Sequence, residues 1–140
     1  MRVKDGRQTF LGVWIRLLAQ EQPFEVWDGG QWRDFTYVDD AVDALLMCAA
    51  DDKTNGQIYN VGGEKPYTLN QLAELLVEVN GAGRFSVKTF PPERKRIDIG
   101  DYYCDWSRLR GAVGWEPRVH LREGLGRTLA YYRQHLASYL

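Results

Sequence analysis

Residues 31–46 read QWRDFTYVDDAVDALL, and the change of periodicity inside this stretch decides what kind of chain it is. Phe35, Tyr37 and Val38 have the aromatic and β-branched character of a short strand, whereas Ala41, Val42, Ala44, Leu45 and Leu46 crowd at helical spacing. A strand running directly into a helix predicts an α/β layout, with Asp39 or Asp40 as the N-cap. A helix N-terminus bares unpaired N–H groups, so Arg33 beside that corner would make it attractive to an anion such as a phosphate. Taken alone, the stretch favours the plainer reading of a surface arginine next to an ordinary capped helix.

Working outward, TFLGVWIRLLAQ puts Phe10, Leu11, Trp14, Ile15, Leu17 and Leu18 on one helical face, closed by Pro23. FEVW is a short strand ended by a tight turn at Asp28-Gly29-Gly30. Downstream, Ile58, Tyr59 and Val61 of QIYNVGG predict a strand buried on both faces. Thr68 and Gln71 form a capping-box signature for a helix carrying Leu69, Leu72, Leu75, Leu76 and Val79. Phe85 and Val87 mark another strand, followed by the proline-broken basic segment PPERKRIDIGDYYCDWS. Asp105 is placed to cap a short helix ended by Gly114 and Pro117, and LREGLGRTLAYYRQHLASYL closes the chain as an amphipathic helix. Thr68, Asp39, Asp40 and Asp105 read as caps, and Tyr59, Trp106 and Trp115 as core.

The 140 residues amount to one domain, 1–140, enough to bury about 68% of the unfolded chain's surface. Basic and acidic residues balance, 18 against 19, so no global field recruits nucleic acid or an anionic membrane. No apolar run approaches the ~20 residues needed to span a bilayer, and the first residues lack the apolar core of a signal peptide. A cytoplasmic chain is expected. Cys48 and Cys104 stand in no CxxC spacing and read as reduced, packed thiols; His120 and His135 are isolated, so no zinc or catalytic-histidine pattern arises.

A nicotinamide-dependent enzyme needs a glycine-rich turn after its first strand, and neither GxGxxG nor GxxGxxG occurs in this chain. No tyrosine is followed by a lysine four residues later, so a Tyr-Lys acid/base couple is missing too.

Four blocks in order, WDGGQWRDFTYVDDAVDALL, GQIYNVGG, ERKRIDIGDYYCDWSRLRGAVGWEP and LREGLGRTLAYYR, resemble the C-terminal half of the extended short-chain dehydrogenase/reductases, the NAD-dependent nucleotide-sugar epimerases and dehydratases. The resemblance spans nearly the whole chain. It implies a small, helix-rich mixed α/β domain like the substrate-binding half of those enzymes, without their Rossmann half. It also implies a longer ancestor in which Met1 is internal and an N-terminal half carries the NAD turn and the Tyr-Lys couple. On this resemblance the chain has no catalytic residue, no cofactor of its own and no metal ligand; NAD belongs to the full-length parent, and whether the chain counts as an enzyme stays open.

Residue by residue, the resemblance makes Arg33 a ligand of the substrate diphosphate, for which a guanidinium's planar fork is suited. It sets Trp27 beside the nucleotide base, where stacking on a pyrimidine and plugging the core are both open readings. Asp28 departs from the glycine common at its position. A second basic ligand falls on Lys95, with Arg94 and Arg96 flanking it and the choice among the three unresolved. Asp98, seven residues before Asp105, matches the acid that holds the ribose hydroxyls. Gln8 and Phe10 line the sugar side. The function implied is that of the substrate-binding domain of a UDP-glucose 4-epimerase-like enzyme, binding a UDP- or dTDP-sugar. The alternatives are a stand-alone nucleotide- or partner-binding fragment and the same half of a dehydratase. Without its other half the QIYNVGG strand and the first helix would lose cover, so a homodimer or higher oligomer is expected.

Overall fold

The computed structural model describes residues 9–139, the side chains of Arg94 and Tyr139 excepted. It divides into two compact units, one formed by the segments up to Gly30, Leu69–Asp98 and Leu125 onward, the other by Gln31–Thr68 and Ile99–Gly124.

In the first unit, helix α1 (Phe10–Ala19) starts at Thr9, whose hydroxyl accepts from the Gly12 N–H at 3.4 Å. Its apolar face buries Trp14, Ile15 and Leu18, which therefore keep their cover, while Phe10 at the helix start is 37% exposed. The indole of Trp14 stacks on Phe24 at 4.9 Å and donates to the Glu25 carbonyl at 3.0 Å. Strand β1 (Phe24–Trp27) pairs in parallel with β4 (Phe85–Lys88), Phe24 opposite Phe85 and Trp27 opposite Lys88. Alternation fits this pairing, since Phe24 and Val26 are fully buried while Glu25 points outward. Helix α3 (Leu69–Asn80) begins directly after Thr68, as the capping-box spacing predicts, and buries Leu69, Leu72, Ala73 and Leu76. The long closing helix α6 (Leu121–Tyr139) buries Leu125 and Leu129, and the Arg133 guanidinium donates to the Asn80 carbonyl and side-chain oxygen at 3.1 and 2.8 Å. The short helix α4 (Pro92–Lys95) lies in the basic segment.

The second unit has a smaller sheet, in which β2 (Trp32–Arg33) runs antiparallel to β3 (Tyr67–Thr68) and Arg33 also bridges in parallel to Tyr102. Helix α2 (Val38–Ala49) and helix α5 (Ser107–Val113) enclose a core of Ala44, Leu109 and Trp115, with Tyr59 and Trp106 packed against it as the sequence suggests. Gly114 ends α5 in the left-handed conformation at φ 73°, its N–H bonded to the Arg110 carbonyl.

Three local expectations are corrected. The strand of the opening stretch is Trp32–Arg33 rather than Phe35–Val38, because the pairing partners of those two residues lie at Tyr67–Thr68 and Tyr102. Tyr37 is the N-cap of α2 and makes no side-chain cap bond, so neither Asp39 nor Asp40 caps it; both sit in the first turn. Residues 57–63 are not a strand, and Ile58 is 81% exposed rather than buried on both faces. Among the described residues, exposed apolar side chains also form a stripe on α2, where Val38, Val42, Leu45 and Leu46 recur one and two turns apart with exposures of 62%, 46%, 70% and 62%.

Candidate functional site

The residues singled out from the sequence fall into separate groups. In the first unit, Trp27 ends β1 and the chain turns through Asp28 at φ 55° and Gly29 at φ 76°. Asp28 continues the ladder by one bond, its N–H donating to the Lys88 carbonyl at 2.8 Å. Its carboxylate then accepts from the Phe90 N–H at 2.9 Å and from the Lys95 ammonium at 3.0 Å. The Phe90 ring stands edge-on to Trp27 at 5.5 Å, so Trp27 has an aromatic partner within the unit and is half-buried. The Phe90 N–H, and after it Lys95, hold the Asp28 carboxyl below its ordinary range. Asp98 lies one turn beyond, its N–H bonded to the Lys95 carbonyl at 3.3 Å. The structure thus brings Lys95 through Asp28 to the end of β1, next to Trp27, ties the Asp98 N–H to the Lys95 main chain, and leaves Arg96 exposed. The Arg94 side chain and Gln8 lie outside the described residues, and Phe10 opens α1 with its ring edge-on to Trp14 at 5.0 Å.

Arg33 belongs to the second unit. Its Nη1 donates to the Trp32 carbonyl at 2.8 Å and to the Gly100 carbonyl, while the Trp32 N–H reaches Asp101 at 2.9 Å and the Tyr102 N–H reaches the Trp32 carbonyl at 2.9 Å. At these contacts the guanidinium is held by two main-chain carbonyls. Next along the chain, the Asp34 carboxylate accepts from the N–H groups of Gly63 and Cys104, both at 3.3 Å, tying the RDF corner to two distant segments. Burial, and then the Asp34 charge, push the Cys104 thiol up to about 11. Gly63 has a packing role, because a Cβ there would lie 2.4 Å from the Phe35 carbonyl oxygen. Sequence reasoning passed over Asp34. Its only signal was its place beside Arg33.

Cys48 and Cys104 are free thiols, and among the described residues no group of three or more His, Cys, Asp or Glu is arranged to hold a metal ion. His120 pairs with Glu64 at 2.7 Å, and that bond raises the imidazole's pKa.

Residues 2–62 match the model of the NAD dependent epimerase/dehydratase family. The chain is 31% identical over 148 residues to UDP-D-apiose/UDP-D-xylose synthase 1 of Arabidopsis thaliana, with 96% of this chain and 38% of the relative covered. The chain belongs to the NAD-dependent epimerase/dehydratase family. A second family relative, dTDP-glucose 4,6-dehydratase of an Actinoplanes strain, is 33% identical over 106 residues, covering 76% of this chain and 32% of its own length. The crystal structure of UDP-glucose 4-epimerase from Thermotoga maritima with UDP-glucose superposes with a TM-score of 0.81 at 30% identity, over 94% of this chain and 41% of that one. This family member thus spans well under half the length of each, and its mixed α/β fold is that of a part of an extended short-chain dehydrogenase/reductase.

Proposed function

We propose that these 140 residues act as one nucleotide-sugar-binding domain of an NAD-dependent, UDP-glucose 4-epimerase-like enzyme, gripping the nucleoside diphosphate while NAD chemistry belongs to the full-length parent. The observation that carries this reading is Arg33, a guanidinium anchored by main-chain carbonyls in a family member whose structural relative was solved with UDP-glucose. Lys95 and its basic neighbours add charge for the phosphates, Asp98 holds the ribose, and Trp27 flanks the base. The similarity to a dTDP-glucose 4,6-dehydratase supports the dehydratase alternative, with the same ligands serving a dTDP-sugar. Among the described residues no helix is long and apolar enough to cross a membrane, and a cytoplasmic setting is part of this proposal.

Calorimetry with UDP tests the reading. Binding should weaken as salt is added, and Arg33→Ala should cost about 1.5–3 kcal/mol, the range for a hydrogen bond to a charged group. Unchanged affinity in that variant would remove Arg33 from the site. A chain with neither glycine-rich turn nor Tyr-Lys couple should also neither retain NAD nor turn over UDP-glucose. NAD copurifying with it, or measurable epimerisation, would refute the division of labour.

The assembly we propose is a homodimer of this chain built on the exposed stripe of α2. Val38, Val42, Leu45 and Leu46 follow the spacing by which one helix packs along another, and a two-fold axis lets one such stripe meet its own copy.

A further inference from the structure

Asp28 is a non-glycine residue in the left-handed region, at φ 55°. That backbone aims its carboxylate back across the end of β1, where it receives a main-chain N–H from Phe90 and the Lys95 ammonium. One neutral N–H and one cation converging on an oxyanion are the donors a phosphate oxygen would use. The place is already taken by an anion of the chain itself. Both partners are solvent-accessible, Lys95 at 66% and Asp28 at 35%, so the pair exchanges with solvent rather than being locked in the interior.

We propose that Asp28 is an intramolecular competitor for the anion that Lys95 takes: its carboxylate occupies the position between the Phe90 N–H and the Lys95 ammonium, and a ligand phosphate reaches Lys95 by displacing it. The proposal rests on the reading of this chain as a nucleoside-diphosphate-binding domain. It sets affinity through the difference between two anions. A diphosphate carries more charge than one carboxylate and wins at sufficient concentration, while singly charged carboxylate ligands gain nothing over Asp28. The residue therefore also selects for polyanionic ligands.

The test is titration of UDP into the full chain, the Asp28→Asn variant and the Asp28→Asn/Lys95→Met double variant at low ionic strength. Asparagine tolerates the left-handed backbone and keeps an acceptor for the Phe90 N–H, so the turn survives while the charge goes. An exposed ion pair is broken and a nearby like charge removed, so UDP should bind Asp28→Asn about 5-fold to 10-fold more tightly. The double variant should lose that gain. If the unaltered chain binds UDP in an Arg33-dependent way and Asp28→Asn binds no tighter, the competition is overturned and the binding reading stands. A gain that persists in the double variant shows general repulsion and also overturns it. Binding by Asp28→Asn alone supports the competition and shows that Asp28 suppresses the site; no binding by either overturns both readings.

Discussion

Asp40→Ala should destabilise the second unit by about 3 kcal/mol or more, the largest effect expected of any polar substitution here, since each buried donor left unpaired costs roughly 1–3 kcal/mol. Asp40 is 3% exposed in the first turn of α2. Its two carboxylate oxygens accept from the N–H groups of Arg118 and Val119 at 3.1 and 3.0 Å, and its main-chain carbonyl accepts from the Trp115 indole at 2.9 Å. One residue thus clamps the segment after α5 to the start of α2, over a core that contains Trp115 itself. Alanine removes the charged acceptor and strands both amides. Asp40→Asn keeps one acceptor oxygen but turns an N–H₂ group toward the other amide, so about half the loss should remain. Asp43→Ala, at an exposed position of the same helix, should stay within about 0.5 kcal/mol. Urea midpoints at unchanged slope report all three, and an Asp40→Ala chain within about 1 kcal/mol of the parent would refute the clamp.

The second large effect is on assembly. Burying an exposed leucine or valine side chain is worth about 1.5–3 kcal/mol, and a two-fold interface counts each substitution twice. Val42→Lys with Leu45→Lys, both in the exposed stripe, should therefore raise the dimer dissociation constant by more than about 1000-fold. The parent chain should sediment as a dimer at micromolar concentration and the variant as a 16.2 kDa monomer. Because both side chains already face solvent, the circular dichroism of the variant should match the parent. A parent that stays a 16.2 kDa monomer over a wide concentration range would refute the dimer.

The exposed stripe of α2, set against the buried Trp14, Ile15 and Leu18 of α1, bears on what can be read from a chain of letters. Both helices carry comparable apolar stripes, and the sequence led to an expectation of missing cover at α1 and at QIYNVGG, not at α2. In the structure Trp14 and Leu18 of α1 are buried, with Trp14 stacked on Phe24, while on α2 Ala44 is buried and Leu45 and Leu46 are not. Periodicity says that a face is apolar. It does not say what covers it.

The same division runs through the site. Sequence alone determined α1, β1, α3, β4, α5 and α6, because helical spacing, strand alternation, a capping box at Thr68 and a glycine stop at Gly114 are local signals that act within a few residues. It also pointed to the family, through blocks that keep their order and spacing, and to Arg33 and the basic triplet 94–96 as candidates. Tertiary structure alone decided that Trp32–Arg33 is the strand of the RDF corner, that residues 57–63 are not a strand, and that Asp40 is a clamp rather than a cap. It alone set Asp28 against Lys95 and Asp34 against Gly63 and Cys104. Each of these depends on a partner dozens of residues away, and a hydrogen bond or ion pair over that separation forms only when the packed elements bring its two ends together.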